Sequence, residues 1–385
     1  MKREPQPLLE RRLAALARRW SRPLLAWYDR SRRDLPWRRN RDPYAVWIAE
    51  IMLQQTQVKT VEPYYRKFLR RFPEVKSLAR APLEEVLKQW AGLGYYRRAE
   101  LLHAAARMIV ADFGSELPQT SADLVRLPGV GRYTAAAIAS IAFNEAKAVL
   151  DGNVIRVLCR LLEVAEDPAR PAVRKNLWDV AQRLVPPHRP GDYNQAMMEL
   201  GATICTPANP ACAACPVRKL CLAYQAGEPS RLPRTSRKPE PAKMRRLVLV
   251  LARGDRVLLL KRPGQGLWAG LWEFPAFAPF ARADERSRLA EALGERLGLR
   301  IELAKRKKRV KHRLTHRAVW CEVVQGRCRP GRRDRVLLPP CDQGIYQASR
   351  WIKPSRLREL PVSALTRKIA EATGNQAAKP GGSRA

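Results

Sequence analysis

Four cysteines lie within seventeen residues in the middle of the chain: Cys205, Cys212, Cys215 and Cys221. Four thiolates at such short spacings can bind one metal centre, either a zinc ion or a [4Fe–4S] cluster. Because sulfur ligands suit both, the spacing alone does not choose between them. The chain has eight cysteines, too few for a disulfide scaffold at this length. We interpret three of the scattered ones as ordinary thiols: Cys321, Cys328 and Cys341.

Two carboxylates have surroundings that suit acid–base chemistry. Glu50 interrupts an apolar helical run and is followed by a polar stretch at 54–57. A carboxyl group buried there has a raised pKa and can donate a proton near pH 7, although it is equally consistent with a buried, satisfied acid. Asp151 precedes Gly152 and Asn153 at the start of a predicted helix, where the ordinary interpretation is an N-cap.

A glycine-containing turn lies at Leu127-Pro128-Gly129-Val130-Gly131, directly before a predicted helix at Arg132. Two glycines permit a tight hairpin and let a ligand approach the backbone closely. The free N–H groups at the next helix N-terminus suit a phosphate oxygen. The same residues are consistent with a helix that stops and restarts, but the strong positive charge of the chain favours phosphate binding.

The chain has 385 residues, with 73 lysines and arginines against 36 aspartates and glutamates, and a formal net charge of +37. This balance predicts a polyanionic partner, either nucleic acid or an anionic membrane surface. The longest apolar run, Tyr133 to Phe143, is far shorter than the roughly 20 residues of a membrane helix. The first residues also lack a secretory signal, so we expect a cytoplasmic protein.

The pattern changes once along the chain. From Leu8 to about Tyr224, apolar residues recur at helical spacing, which predicts an all-helical region. A proline- and arginine-rich linker follows. Two apolar runs flanking Gly254-Asp255 then predict a β-hairpin, 285–297 predicts a helix, and the alternation over 310–317 predicts a strand. The second region is therefore α+β.

Five spaced motifs occur in an order that resembles the adenine DNA glycosylases of the helix-hairpin-helix superfamily (the MutY family). The motifs are 46–57, 127–131, 150–153, Asn194 to Ala202 and the four-cysteine spacing. The resemblance extends from about Leu35 to Ala372. It implies a multidomain protein with an all-α helix-hairpin-helix glycosylase domain, an Fe–S cluster module and a C-terminal α+β domain like MutT and other Nudix proteins.

The resemblance also implies domain boundaries. We expect the helical glycosylase domain at 1–225, the linker at 226–244 and the MutT-like lesion-recognition domain at 245–373, with a disordered tail at 374–385. Within the first domain, a six-helix barrel would occupy about 43–144, and the Fe–S module would be formed by 1–42 and 145–225.

The family assigns a [4Fe–4S] cluster to the four cysteines. Glu50 matches its general acid, which protonates the flipped adenine at N7, and Asp151 matches the carboxylate that stabilises the oxocarbenium-like sugar. Asn153 and Tyr133 would position these groups and the sugar. Related endonuclease III enzymes have a lysine that forms a Schiff base at position 133, whereas a tyrosine cannot form an imine. The resemblance therefore predicts a purely hydrolytic glycosylase.

Contacts with DNA are also implied. Gln55 and Tyr95 match residues that wedge into the base stack, and Arg38 matches a position near the flipped base. Leu314-Thr315-His316 stands where the family has Phe-Ser-His, the reader of 8-oxoguanine. The full set of expected DNA-binding residues is Arg38, Gln54, Gln55, Tyr95, Gly129, Val130, Gly131, Thr315 and His316.

The MutT-like domain lacks the carboxylates of a working Nudix site, because 291–298 keeps only Glu295 of the expected set. We therefore expect recognition rather than pyrophosphate hydrolysis. The expected partner is double-stranded DNA with an adenine opposite 8-oxoguanine or guanine, bound by a monomer, with no membrane contact. Two alternatives stay open: an endonuclease III-type glycosylase and lyase, and a non-catalytic Fe–S protein that binds DNA.

Overall fold

The computed structural model describes residues 6–236, 240–279, 286–314, 316–329, 336–342 and 344–374, with the backbone alone for 6–18, Arg286 and Arg306. The chain forms two compact units. The helical unit contains Met1–Arg80 and Leu101–Lys238, and the sheet unit contains Ala81–Glu100 and Pro239–Ala385. The segment Ala81–Glu100, which the sequence placed in the helical domain, thus groups with the C-terminal residues.

Helices account for the regular structure of the described chain up to Gln225, as the sequence predicts. The α-helices are α1 Gln6–Ser31, α2 Pro43–Leu53, α3 Val58–Arg71, α4 Val75–Arg80, α5 Leu83–Trp90, α6 Arg97–Asp112, α7 Ser121–Leu124, α8 Arg132–Phe143, α9 Gly152–Leu161, α10 Pro171–Leu184, α11 Pro190–Thr203 and α12 Leu222–Gln225. The described part of the chain contains no helix long and apolar enough to cross a membrane.

Local signals explain where the helices that carry the site begin. Asp42 accepts hydrogen bonds from the N–H groups of Tyr44 and Ala45, and Pro43 occupies the first position of α2, where its missing N–H costs nothing. Helix α8 is almost wholly apolar from Thr134 to Ile141 and is buried along that length. Helices α2, α8, α9 and α11 pack on one another and enclose the cavity described below.

A mixed sheet forms the core of the sheet unit. Its strands are β1 Ala242–Arg253, β2 Arg256–Lys261, β3 Trp272–Glu273, β4 Ala276–Phe277, β5 Ile301–Arg313, β6 Arg317–Cys328 and β9 Ala348–Ile352, with β7 Pro340–Cys341 and β8 Gly344–Ile345 in a separate pair. The central order is β3-β2-β1-β6-β5, with β1 parallel to β6. Helices α13 Arg286–Leu297 and α14 Ala364–Ala372 complete the unit.

Two predicted elements of this unit are confirmed. Strands β1 and β2 pair across Gly254-Asp255 as a hairpin, with Arg253 opposite Arg256 and Gly254 at a φ of +59°. The predicted helix at 285–297 is α13 from Arg286 onward. Its leucines Leu289, Leu293 and Leu297 belong to one apolar core together with side chains of β1, β2 and β5, and α13 packs against β5.

One predicted strand was wrong in its extent. The predicted strand at 310–317 is divided between two strands: β5 ends at Arg313, β6 begins at Arg317, and the N–H of Leu314 donates to the carbonyl of Arg317 at 2.8 Å. The predicted linker is structured at both ends. Leu232 is buried and its carbonyl accepts a hydrogen bond from Arg160 at 2.9 Å, while β1 begins at Ala242. Residues 237–239 and 375–385 lie outside the described residues.

Candidate active site

A cavity of about 180 Å³ lies in the helical unit. It is enclosed by α2, the first turn of α8, the start of α9, one face of α11 and the short 3₁₀ helix Pro36–Arg38. Four residues that the sequence assigned to catalysis line it together with Arg38: Glu50, Tyr133, Asp151 and Asn153. The tertiary structure thus brings into one cavity side chains that are up to 115 residues apart in the chain.

Glu50 is buried on α2, with 6% of its surface exposed. The pKa of Glu50 is raised to about 7, mainly by burial and to a smaller extent by the nearby charge of Asp151. The hydroxyl of Tyr133, which donates to Glu50 Oε2 at 3.3 Å, and the charge of Arg38 act in the opposite direction. A carboxyl group with this pKa holds a proton in about half of the molecules near neutral pH.

Asp151 is both a helix cap and part of the cavity wall. Its Oδ1 accepts the N–H of Val154 at 2.7 Å, and its Oδ2 accepts Nδ2 of Asn153 at 2.9 Å. Burial raises the pKa of Asp151, and these hydrogen bonds lower it. Asp151 is half-buried, so Glu50 is the drier of the two carboxyl groups.

Tyr133 occupies the second position of α8 and reaches the cavity between two acceptors. Besides Glu50, its hydroxyl can donate to Sδ of Met198 on α11 at 3.1 Å. Burial raises the pKa of Tyr133 well above its ordinary value, so the side chain is a neutral hydroxyl.

Sequence reasoning missed a third acidic group in this cavity, Glu199. Glu199, 1% exposed, accepts Nε and Nη2 of Arg33 at 2.6 and 2.7 Å and Nη2 of Arg38 at 2.8 Å. Burial works to raise the pKa of Glu199, but the two arginines lower it overall. A carboxylate inside the otherwise apolar or amide run Asn194 to Ala202 was the available signal.

The predicted hairpin is present between α7 and α8. Gly129 has a φ of +80°, and a Cβ there would lie 2.8 Å from Cβ of Leu101, so the turn requires glycine. Gly131 is the N-cap of α8. The side chain of Val130 is buried, which leaves its backbone as the part that can face a ligand.

Comparison with known proteins agrees with this architecture. The model of the HhH-GPD superfamily of base excision DNA repair proteins matches residues 48–183, and that of the NUDIX domain matches 247–372. The chain is 36% identical over 259 residues to an adenine DNA glycosylase of Buchnera aphidicola, which is 67% of this chain and 75% of that protein. This chain belongs to the adenine DNA glycosylase family.

Other members are also similar. The mouse adenine DNA glycosylase is 45% identical over 305 residues, 66% of this chain and 59% of the mouse protein. The chain thus matches a little over half the length of that relative. A solved structure titled as a thermostable thymine-DNA glycosylase superposes with a TM-score of 0.51 at 33% identity, and covers 55% of this chain and 98% of its own. The fold of the helical unit is therefore that of the superfamily.

Endonuclease III-like glycosylases typically carry an Fe–S cluster, and the four cysteines of this family member fit one. All four are free thiols of intermediate exposure, and the thiol of Cys215 lies within electrostatic range of the other three. Nη1 of Arg160 donates to Sγ of Cys205 at 3.2 Å. Among the described residues, no three His, Cys, Asp or Glu side chains converge as ligands of one metal ion. In a cluster, each thiolate binds a different iron.

The two residues of this chain that are expected to wedge into the base stack, Gln55 and Tyr95, have left-handed backbone conformations. Gln55 follows α2 at a φ of +55°, while the neighbouring Gln54 donates from Nε2 to Thr134 at 3.0 Å. Tyr95, in the sheet unit, has a φ of +49° and is 41% exposed. The guanidinium of Arg98 lies 5.3 Å from the centre of its ring and 5.5 Å from that of Trp90. Left-handed backbone at non-glycine residues is uncommon and is frequent at ligand-binding sites.

A second cavity, of about 460 Å³, lies within the sheet unit. It is lined by Tyr95, by Trp268 and by the turn residues Leu314 and His316. Two of the expected DNA-binding residues, Tyr95 and His316, therefore share one cavity. Thr315, expected to read the lesion, lies outside the described residues.

Proposed function

We propose that this chain is a monofunctional adenine DNA glycosylase that removes adenine placed opposite 8-oxoguanine or guanine. The carrying observation is the cavity of the helical unit, in which a carboxyl group with a pKa of about 7 and a second, more solvated carboxyl group face the same space. Hydrolysis of a glycosidic bond needs one carboxyl group protonated and the other ionised.

The two carboxyl groups have separate roles in the proposal. Glu50 donates its proton to N7 of the flipped adenine, which makes the base a neutral leaving group. Asp151, held by the N–H of Val154 and by Asn153, stabilises the positive charge that develops on the sugar. Glu199 stays ionised, because Arg33 and Arg38 surround it, and we assign it with Arg38 to the polar edge of the bound base.

Tyr133 supports hydrolysis without strand cleavage. A lyase needs an amine that forms an imine with the sugar, and Tyr133 presents a neutral hydroxyl at this wall of the cavity. Water is therefore the acceptor of the sugar, and the product is an abasic site.

Base flipping must come first, because the target bond is inaccessible in a duplex. In the proposal, Gln55 of the helical unit wedges into the base stack, Tyr95 of the sheet unit is a second residue of this kind, and the hairpin around Gly129 and Gly131 holds a phosphate. Strand β5 adds exposed cations at every second position, which would contact further phosphates: Lys307, Arg309, Lys311 and Arg313.

The sheet unit would read the base opposite the adenine through residues 314–316, of which the structure describes Leu314 and His316. Helix α13 has two exposed acidic residues, Glu291 and Glu295, and only Glu295 belongs to the set of carboxylates expected in a Nudix site. This supports recognition rather than pyrophosphate hydrolysis. The proposed cofactor is a [4Fe–4S] cluster held by Cys205, Cys212, Cys215 and Cys221. We further propose that the protein acts as a monomer on double-stranded DNA, in the compartment that contains the chromosome.

A single-turnover assay tests this function. The substrate is a duplex with one adenine opposite 8-oxoguanine, and the products are separated with and without hot alkali. Strand breaks that occur only after alkali are expected, because adenine is removed while the backbone stays intact. Breaks without alkali would identify an endonuclease III-type lyase, and tight binding without any reaction would identify a non-catalytic DNA-binding protein.

A further inference from the structure

The hydroxyl of Tyr133 has one proton and two acceptors. Glu50 Oε2 lies 3.3 Å from the hydroxyl oxygen, and Sδ of Met198 lies 3.1 Å from it. A carboxylate is a strong acceptor and a thioether is a weak one, so the proton points to Glu50 whenever that group is ionised. When Glu50 is protonated, its demand for a donor falls, and Met198 becomes a suitable acceptor.

The surroundings of Glu50 make this choice important. Within the described residues, the hydroxyl of Tyr133 is the one side-chain donor to its carboxyl group. The charged and titratable groups that face the same cavity are Arg38 of the 3₁₀ helix, Asp151 at the start of α9, and Glu199 of α11 with its partner Arg33. Glu199 and Arg33 are bound to each other, so Tyr133 is the group whose orientation can change most easily.

The position of Met198 separates it from an ordinary core methionine. It is half-buried and lines the cavity, whereas its neighbour Met197 is 2% exposed and does not. A methionine often fills irregular gaps in a core, and a leucine of similar volume would do so equally well. A leucine, however, cannot accept a hydrogen bond. The two roles can therefore be separated by one substitution.

We propose that Met198 is a positioning residue for Tyr133. Its sulfur accepts a hydrogen bond from the tyrosine hydroxyl when Glu50 is protonated, and this stabilises the protonated form of the general acid at neutral pH. The assignment of Glu50 as the acid rests on the proposed function. The hydrogen bonds themselves do not.

The test is the substitution Met198→Leu. With no sulfur to accept its proton, Tyr133 donates to Glu50 alone, which favours the ionised carboxylate. In a plot of the single-turnover rate against pH, the rate falls on the alkaline side as Glu50 loses its proton. This alkaline limb should move to lower pH by roughly half to one unit in Met198→Leu. Above this limb the rate at a given pH should be about three- to tenfold lower than in the wild type.

Two controls distinguish positioning from packing. Met197→Leu, on the same helix, should leave the limb in place. In a Tyr133→Phe background, Met198→Leu should no longer move it, because the proton in question is absent. A limb that coincides with the wild-type limb in Met198→Leu, or an equal shift in Met197→Leu, would overturn the proposal.

A second readout is independent of excision. The pKa of Glu50 can be followed in the free protein by NMR of its carboxyl carbon, with Glu50→Gln used to assign the signal. Met198→Leu should lower this pKa by the same half to one unit. Should the wild type excise no adenine, the proposed function fails, and the titration still decides whether Met198 acts on Glu50. An unchanged titration would refute the inference.

Discussion

Glu50 of the helical unit and Glu273 of the sheet unit are both buried, with 6% and 5% of their surfaces exposed. Burial works to raise the pKa of each. Around Glu50 this effect prevails, and its pKa is about 7. Around Glu273 the charges of Arg246 and Arg262 and the hydroxyl of Tyr346 prevail, and its pKa falls to about 2.

The two carboxyl groups are about equally buried, so the difference between their pKa values follows from the partners that surround each one. Glu273 accepts Nη1 and Nη2 of Arg246 at 2.9 and 2.7 Å, Nη1 of Arg262 at 2.7 Å and the hydroxyl of Tyr346 at 2.6 Å. Glu50 has a neutral hydroxyl as its hydrogen-bond donor. The first arrangement holds a fixed ion pair, while the second leaves a proton free to be transferred.

The largest expected effect comes from Glu50→Gln. An amide cannot donate the required proton, so single-turnover excision should fall by roughly 10²- to 10⁴-fold, while the affinity for the mismatched duplex is kept. The control variant Glu273→Gln should excise adenine at near the wild-type rate, measured at a temperature where this variant is folded. Excision at near the wild-type rate by Glu50→Gln would show that the role assigned to Glu50 is wrong.

The same two substitutions should have the reverse order of effects on stability, with the larger loss in Glu273→Gln. Glu273→Gln leaves two buried arginines without their shared carboxylate and should lower the free energy of unfolding of the sheet unit by about 3–5 kcal/mol. Glu50→Gln should change the unfolding free energy by less than about 1 kcal/mol. Urea titration at pH 7 measures both.

The pH dependence of this loss has a definite sign. The folded pKa of Glu273 is depressed from 4.5 to about 2, so its contribution is present above pH 4.5 and is lost as the pH falls towards 2. The difference between Glu273→Gln and the wild type should shrink over that interval. Equal losses for the two glutamine variants at pH 7 would contradict the comparison.

The excision rate should show the protonation state of Glu50 directly. Because its pKa is raised to about 7 and the protonated form reacts, the rate should fall about tenfold for each pH unit above that value. Asp151 must be ionised, so the rate should also fall on the acidic side. A single-turnover profile from about pH 5 to pH 9 checks both limbs, and a flat profile above pH 7 would exclude Glu50 as the acid.

The smallest effect concerns a buried cation that rests on aromatic rings. Desolvation lowers the pKa of Arg98 to about 10, and its guanidinium lies against Tyr95 and Trp90. Arg98→Met keeps the aliphatic packing and loses the charge, which should weaken binding of the mismatched duplex about two- to fivefold. Arg97→Met is the control, because the neighbouring Arg97 is exposed and its substitution removes the same charge without removing a stacked guanidinium. An equal loss of affinity in both variants would mean that charge alone matters.

Much of this could be predicted from the sequence because it depends on local pattern. Helical periodicity, the hairpin glycines and the turn at Gly254-Asp255 depend on neighbouring residues, and each is found where it was predicted. The end of β5 was missed, because the N–H of Leu314 donates to the carbonyl of Arg317 and no side-chain alternation indicates such a bond. The grouping of Ala81–Glu100 with the sheet unit depends on packing against residues that are distant in the sequence, which no local pattern predicts.

For the candidate site too, some properties can be predicted from the sequence and others depend on folding. The available chemical groups follow from the amino-acid sequence: Glu50 in an apolar helix, Asp151 at a helix start, a tyrosine instead of a lysine at 133, and four closely spaced cysteines. Their protonation states and partners depend on the folded structure. It put Arg33 and Arg38 on Glu199 rather than on Glu50, and it set Met198 beside Tyr133. Protonation depends on which charges and acceptors lie within a few ångströms, and chain folding alone determines those distances.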